Sequence, residues 1–453
     1  MMLALLFIAQ AVQPVPVPQD SALRAPLPEL PRPPPPEGPV LPLAEALRLA
    51  REQAPDLAVA RERVEQARNN VQRAWATLQP TLTATGTYTH NSLPALIFTF
   101  DPVQGFGTKE GSKNTEAGTL VFAWNLFNLR AFPALTSAKQ LVDVAALTEA
   151  QQRRELLLAV ASTYYSGVAL RELAGVAFQQ ARATHDHARD ALARFEAGLV
   201  QRSAALRARI DALRADQETQ RALFSYASAK SQLAALFDRH DTAFELAAPE
   251  RAPEEVRGAF RELMEKALRE RPEMAAARAN EEIAARLKTD AWEQFAPTLA
   301  LTGTGRYNNP ATTFTGDKTT WAVALALTLP LYDGGFRYVA LKDADSQIRQ
   351  ARAQTRGQAA RIEDELRRAQ LDLDSARTLR DETEQTLAVS RENERLVRAQ
   401  FDAGTASQVE VSDAEAALFQ SESNALQQRL SVELAALRVA KAVGAFDLEG
   451  GGK

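Results

Sequence analysis

TWAVALALTLPLYDGGFR, residues 320–337, contains a strand pattern, a strand breaker and the start of a helix. Up to Leu329, large apolar side chains alternate with alanine and threonine, so an extended chain places the two sets on opposite faces. Pro330 ends this pattern, and Asp333-Gly334-Gly335 predicts a turn. A helical pattern without a further break follows for more than sixty residues. The segment therefore predicts a strand that leads directly into a very long helix.

The same order of patterns occurs twice in the chain. Residues 55–61 (PDLAVAR) match residues 272–278 (PEMAAAR) at an offset of 272 − 55 = 217. Farther along, residues 195–198 (FEAG) match residues 401–404 (FDAG) at an offset of 401 − 195 = 206. The smaller offset is explained by a longer loop in the first copy. The sequence thus predicts an internal duplication.

The duplication divides the chain into five predicted segments. They are a signal peptide at 1–11, a proline-rich tether at 12–42, a first structural repeat at 43–253, a second structural repeat at 254–446 and a tail at 447–453. Each repeat is predicted to hold a helix, two strands and a long helical hairpin. The strands are predicted at 80–90, 118–127, 297–307 and 319–330, and the hairpins at 132–237 and 336–441. Residues 91–116, rich in Gly, Pro, Asn, Ser and Lys, predict a long loop.

The two N-terminal segments indicate export and a spacer. Residues 1–11, MMLALLFIAQA, form a short apolar run that ends in the A-x-A pattern of a secretory cleavage site. The alternative is a disordered N-terminus. Residues 12–42 are dominated by proline, which predicts an extended tether without a packed core.

The composition excludes several classes of protein. Lys and Arg total 53 and Asp and Glu total 57, so the chain lacks the basic excess expected of a nucleic-acid-binding protein. No cysteine occurs, which excludes disulfides, thiolate metal sites and a lipid-modified N-terminal cysteine. No run of eighteen apolar residues occurs, so the sequence predicts membrane contact by strands or by a surface rather than by a helix.

The four predicted strands have the length and the alternation of membrane strands. About ten residues suffice for a tilted strand to cross a bilayer, and such strands must form a closed barrel because no backbone edge tolerates lipid. Four strands cannot close a barrel, whereas two or three chains would supply eight or twelve. Aromatic residues near the strand ends predict an interfacial girdle: Tyr88, Trp124, Tyr307 and Trp321. The alternative is the packed core of a soluble sheet.

The long helices are amphipathic, with small residues along one side. The first spans 198 − 132 = 66 residues, which at 1.5 Å per residue gives a rod of roughly 100 Å. An ordinary antiparallel coiled coil is one interpretation. We favour a helical tube that continues the wall of a barrel, because both long helices follow directly from predicted membrane strands.

The segments 325–335 (LALTLPLYDGG) and 124–127 (WNLF), with the duplicated order of elements, resemble the TolC-like outer-membrane efflux and secretion channels. The resemblance covers Leu43 to about Phe446. It implies a mixed fold of mostly long α-helices, with four transmembrane β-strands per chain that form a shared twelve-stranded barrel in outer-membrane lipid. It also implies a homotrimer with a periplasmic helical tunnel. The implied partners are a periplasmic adaptor protein and an inner-membrane pump or transporter, for which the channel would be a passive exit duct in tripartite efflux or type I secretion.

The resemblance also implies three groups of site residues. The strand-to-helix junction is carried by Pro330, Asp333, Gly334 and Gly335. The hairpin ends, with adaptor docking, are carried by Gly198, Leu199, Val200, Ser203, Gly404 and Thr405. The pore aperture is carried by Glu410 and Asp413, which lie three apart on one helix face, so that three chains would gather six carboxylates and attract cations. The alternative for this acidic pair is a solvated helix start.

No enzymatic or metal chemistry is predicted. His185 and His187 are two apart and point to different sides of a helix, which favours a solvated helix face over a metal site. His90 and His240 are isolated, and no Ser/His/Asp arrangement is present. We therefore expect no cofactor, no nucleic acid and no catalysis. The alternative function is a secreted coiled-coil scaffold or adhesin without a pore.

Overall fold

The structure is a computed structural model that describes residues 23, 25–32, 38–94, 96–101, 105–249, 256–311 and 317–445. The predicted signal peptide and the predicted tail lie outside the described residues. The chain forms two compact units. One, which we call the helical unit, comprises the described residues within 1–54, 155–258 and 366–453. The other, the sheet unit, comprises the described residues within 55–154 and 259–365.

The described residues form long helices and short strands. The strands are β1 (Val40–Leu41), β2 (Thr81–His90), β3 (Leu96–Asp101), β4 (Gly105–Glu110), β5 (Asn114–Phe127), β6 (Glu245–Leu246), β7 (Thr298–Asn309) and β8 (Thr319–Thr328). The helices are α1 (Leu43–Gln53), α2 (Pro55–Ala76), α3 (Ala131–Glu196), α4 (Arg202–Leu236), α5 (Phe260–Glu270), α6 (Pro272–Glu293), α7 (Phe336–Asp402) and α8 (Gln408–Val443). None of these helices is both long enough and apolar enough to cross a membrane.

The sheet unit contains a four-stranded antiparallel sheet in the order β2-β5-β7-β8. Opposed residues of antiparallel strands share a face, so the register defines both faces of the sheet. One face, here the apolar face, is dominated by Leu82, Tyr88, Leu120, Phe122, Trp124, Leu299, Leu301, Tyr307, Trp321, Val323, Leu325 and Leu327. The other, here the threonine face, carries mainly threonine and alanine. The alternation predicted from the sequence is confirmed across all four strands.

The prediction of a long loop at residues 91–116 was wrong. This segment contains the antiparallel hairpin of β3 and β4, which pair from Leu96–Glu110 to Asp101–Gly105. β5 then begins at Asn114, inside the predicted loop. The physical reason lies in residues 96–100, LIFTF, a strand-prone run whose signal was hidden by the glycine and asparagine around it.

The helical unit contains two hairpins with short turns, formed by residues 155–196 of α3 with α4 and by residues 366–402 of α7 with α8. The first joins α3, of 66 residues, to α4, of 35, and the second joins α7, of 67 residues, to α8, of 36. Alanines at steps of three and four are buried along α4, including Ala205, Ala208, Ala212 and Ala215. These small side chains allow helices to approach closely.

Part of the predicted tether is packed rather than free. Leu23 is 3 % exposed and contacts buried alanines of α3 and α4, among them Ala188 and Ala205. Leu27 packs against the same cluster, and Arg209 donates a hydrogen bond to the Pro26 carbonyl at 3.4 Å. The proline content predicted an extended chain without a core. It obscured the leucines, which give this extended segment an apolar side that can be buried.

Candidate functional site

Among the residues that the structure describes, nothing covers the apolar face of the sheet. Trp321 is 82 % exposed, Leu327 is 70 % exposed and Leu82 is 67 % exposed. Every residue of β2 and β8 is exposed. A continuous apolar surface of this kind marks a contact with lipid or with another protein chain. The interpretation as the core of a soluble sheet requires cover that the described residues do not provide.

The four aromatic residues predicted as a girdle lie at both ends of the sheet. We define the loop end as the end at which β2 and β7 finish, and the helix end as the opposite one. Tyr88, Tyr307 and Trp321 lie near the loop end, opposite Glu116, Gly118 and Gly305 respectively. Trp124 lies near the helix end, and its indole Nε1 donates a hydrogen bond to the Leu78 carbonyl at 3.0 Å. All four are on the apolar face.

The strand-to-helix junction is a turn held by one carboxylate. Gly334 and Gly335 have φ angles of 71° and 91°, which glycine adopts without the steric strain of a side chain. The Asp333 carboxylate accepts hydrogen bonds from the Gly335 N–H at 3.2 Å and the Arg337 N–H at 3.1 Å. It therefore ties the turn to the first residues of α7.

Arg337, which the sequence analysis missed, completes this junction. Its Nε donates to Asp333 Oδ2 at 2.8 Å and its Nη1 donates to the Pro330 carbonyl at 2.8 Å, so it spans the whole turn. The guanidinium lies 4.6 Å from the centre of the Phe295 ring. Desolvation tends to raise the pKa of Asp333, but the hydrogen bonds and charge of Arg337 outweigh it and lower that pKa.

The internal duplication carried a signal for Arg337. With Trp124 aligned to Leu331, the offset is 331 − 124 = 207, and the same offset aligns Arg130 with Arg337. Arg130 also forms a forked contact, because its Nε and Nη2 each lie 3.2 Å from a carboxylate oxygen of Asp290. Both repeats therefore have an arginine at the start of the long helix that contacts a carboxylate.

The first hairpin end is a compact glycine turn. Gly198 has a φ of 74°, its N–H donates to the Phe195 carbonyl at 2.9 Å, and the Leu199 N–H donates to the Arg194 carbonyl at 2.8 Å. This is the Schellman pattern that ends helices. Leu199 is 75 % exposed. The predicted docking residues Val200 and Ser203 follow, half-buried and exposed respectively.

The second hairpin end repeats the same turn. Gly404 has a φ of 77°, and its N–H donates to the Phe401 carbonyl at 2.9 Å. Both the N–H and the hydroxyl of Thr405 donate to the Gln400 carbonyl, at 2.9 and 3.0 Å. The Arg194 guanidinium lies 4.8 Å from the centre of the Phe401 ring. The structure thus brings the two hairpin ends into contact.

Each member of the predicted aperture pair has its own partner. Glu410 forms a capping box at the start of α8, in which its carboxylate accepts from the Ser407 N–H at 2.6 Å and its N–H donates to the Ser407 hydroxyl at 3.3 Å. The backbone hydrogen bond from Ser407 lowers the pKa of Glu410. Asp413 lies 3.5 Å from Arg207, and both side chains remain exposed. Glu410 therefore has a structural role beyond any role in a pore.

The prediction that His185 and His187 lie on a solvated helix face was wrong. His185 is 5 % exposed, and its Nε2 lies 3.0 Å from both carboxylate oxygens of Asp216 on α4. His187 Nε2 lies 2.6 Å from Glu415 Oε1 on α8. The two histidines do point to different sides of α3, as predicted, but another helix covers each side.

The His187 contact is part of a small charged cluster between helices. The Arg398 guanidinium, on α7, lies 3.2 Å from Glu415 Oε1. The hydrogen bond to Glu415 raises the pKa of His187 against the opposing effects of burial and Arg398. The sequence signal for these pairs was the presence of two carboxylates, Asp216 on α4 and Glu415 on α8, at otherwise apolar helix positions. In the part of the chain that the structure describes, no three metal-binding side chains are grouped to hold an ion.

Comparison with known proteins identifies similar chains. The model of a family described as outer membrane efflux protein matches residues 46–237 and 263–445. Similar solved structures include a membrane protein from Pseudomonas aeruginosa, with 19 % identity, a TM-score of 0.73 and coverage of 93 % of this chain and 99 % of that one. They also include the outer membrane protein VceC from Vibrio cholerae, with 20 % identity, a TM-score of 0.70 and coverage of 89 % and 96 %.

A third similar structure is the CmeC outer membrane channel from Campylobacter jejuni. It has 16 % identity and a TM-score of 0.74, with coverage of 90 % of this chain and 87 % of that one. A comparison with curated proteins finds no match. The three structures share the fold of this chain at low identity, and the family model covers both repeats.

Proposed function

The chain belongs to the outer membrane efflux protein family, and we propose that three copies together form one channel through the outer membrane. Members of this family are channels rather than enzymes, and the protein resides in the outer membrane with a periplasmic helical tunnel. The observation that carries the proposal is the apolar face of the sheet, which no described residue covers. The two outer strands of that sheet, β2 and β8, each have one edge that pairs with no other described strand.

The number of copies follows from the strand count. Strand edges in lipid leave backbone groups without hydrogen-bond partners, so β2 of one chain must pair with β8 of another. Two copies would give eight strands, a size at which side chains fill the interior. Three copies give twelve strands, whose interior, lined by the threonine face, has room for water and solutes. A passive duct requires the larger barrel.

We assign the hairpin ends to the assembly with other proteins. The turns at Gly198 and Gly404 expose backbone and side chains, Leu199 above all, at one end of the helical unit. A periplasmic adaptor that docks there would join the channel to an inner-membrane pump or transporter, which would supply the energy. Both tripartite efflux and type I secretion use such an arrangement. The acidic pair Glu410 and Asp413 would then face the aperture.

One experiment tests the proposal against the alternative of a secreted scaffold or adhesin. The full-length protein is extracted from outer-membrane fractions, analysed by electrophoresis with and without heating, and reconstituted in planar bilayers. We expect a trimer that dissociates on heating and a defined ion conductance. A water-soluble monomer, or a trimer that produces no conductance, would refute the channel.

A further inference from the structure

The threonine face of the sheet carries one charged residue. Within β2, β5, β7 and β8, the residues of this face are threonine, alanine, asparagine and valine, with the single exception of Arg306 on β7. Glu116, the nearest acidic residue in the strand register, belongs to the opposite, apolar face. Within these four strands, Arg306 therefore determines the charge of the threonine face.

The neighbours of Arg306 are small and uncharged. Its row across the sheet consists of Thr85, Thr119 and Thr320. Arg306 is exposed, and no ion pair to it is found among the residues that the structure describes. It lies 309 − 306 = 3 residues before the end of β7, which places it about 10 Å from the loop end of the sheet. Nothing in its row neutralises the guanidinium.

The consequence of this position rests on the trimeric channel proposed above. If the apolar face meets lipid, the threonine face lines the lumen, and three chains place three guanidinium groups at one level of the barrel. Arginine never loses its charge under physiological conditions. Rings of arginine or lysine favour anions in pores, and the low-dielectric wall strengthens the field within the opening.

We propose that Arg306 is a selectivity residue of the channel, which favours solutes bearing carboxylate, phosphate or sulfonate groups at the loop end of the barrel. Its charge is opposite in sign to that of Glu410 and Asp413 at the second hairpin end. The barrel wall would therefore discriminate between solutes independently of the aperture. The threonine hydroxyls beside it can donate hydrogen bonds to the same anionic groups.

The test is a measurement of reversal potential with the full-length trimer in planar bilayers under a tenfold KCl gradient. Arg306→Gln should shift the reversal potential toward cation preference, Arg306→Glu should shift it further, and Arg306→Lys should retain the wild-type value. The shift should be largest between about 0.01 and 0.1 M salt, where the Debye length is about 30 to 10 Å, and should shrink at 1 M. Glu116→Gln is the matched control, because it alters the charge by one at the same end of the sheet but on the apolar face, and it should cause no shift.

The outcomes separate this inference from the proposed function. If the Arg306 variants conduct with the wild-type reversal potential, the inference about Arg306 is wrong, whereas the proposed channel function is supported. If Glu116→Gln produces a shift as large as that of Arg306→Gln, general surface charge rather than lumen position is responsible, and the inference also fails. If the wild-type protein itself does not conduct, the proposed function fails and the inference fails with it.

Discussion

The contact between His187 and Glu415 should respond to pH. The Glu415 side chain is 7 % exposed and lies 2.6 Å from His187 Nε2, so the two form a nearly dry bridge between α3 and α8. The hydrogen bond to Glu415 is the main cause of the raised pKa of His187. Burial and Arg398 oppose it, whereas the charge of Asp190 assists it. The folded chain therefore holds this proton more tightly than the unfolded chain.

The sign of the effect follows from that difference. Stabilisation by protonated His187 is fully present below the ordinary pKa of 6.5 and is lost as pH rises through the raised pKa. A hydrogen bond to a charged group contributes about 1.5–3 kcal/mol. We take about 1.5 kcal/mol, because Arg398 still pairs with Glu415 after His187 loses its proton. Since about 1.4 kcal/mol corresponds to tenfold, local opening should become roughly ten times more frequent between pH 6 and pH 8.

Hydrogen exchange of the full-length protein in detergent measures this opening. After correction for intrinsic rates, peptides covering residues 184–190 and 412–418 should exchange about tenfold faster at pH 8 than at pH 6. His187→Gln should abolish most of that difference while the protein remains folded. His240→Gln, which changes an exposed histidine, should leave it intact. An unchanged pH dependence in His187→Gln, or a flat profile in the wild type, would refute the assignment.

Three further predictions concern the junction and the hairpin ends. Arg337→Met should destabilise the junction by about 3 kcal/mol, because two hydrogen bonds of a buried guanidinium are lost, and hydrogen exchange there should rise about 100-fold. Arg337→Lys should lose about half as much stability, since one ammonium cannot reach both acceptors. Glu410→Gln combined with Asp413→Asn should reduce cation preference in planar bilayers. The protein should keep its thermal stability, because glutamine preserves a capping box. An unchanged reversal potential would exclude the aperture role. Residues 201–205 should exchange faster than residues 407–411, because only α8 begins with a capping box; equal rates would contradict this.

The alternation of large and small side chains allowed much of the fold to be predicted. In the segment from Trp321 to Leu327, a large apolar side chain occurs at every second residue, so only one face of the strand can be the apolar one. The observed register agrees with this pattern, because a slip by one residue would mix the two faces. Residues 96–100 form a strand without that alternation, and the glycine and asparagine around them suggested a loop instead.

The side-chain partners could not be predicted in the same way. His187 and Glu415 are 415 − 187 = 228 residues apart, and their contact depends on how two separate helices are placed in the helical unit. The helix period gives the direction of His187 from α3 but not the identity of the residue it meets. Arg337 was missed for a different reason. A four-residue spacing between aspartate and arginine is common in sequences, and the importance of this pair shows only in the turn geometry and in the match between Arg337 and Arg130.

The duplication has produced two hairpin ends with the same turn but different helix starts. Gly198 and Gly404 end their helices with matching Schellman hydrogen bonds, so the turn itself is common to both repeats. α8 then starts with the reciprocal bonds of Ser407 and Glu410, whereas α4 starts after Gln201 without a side-chain cap or an acidic residue in its first turn. Uncapped helix starts open more easily, because their first N–H groups lack partners. The first hairpin end is therefore the one better suited to adjust to a docking partner, and the second is better suited to hold its acidic residues at a fixed position.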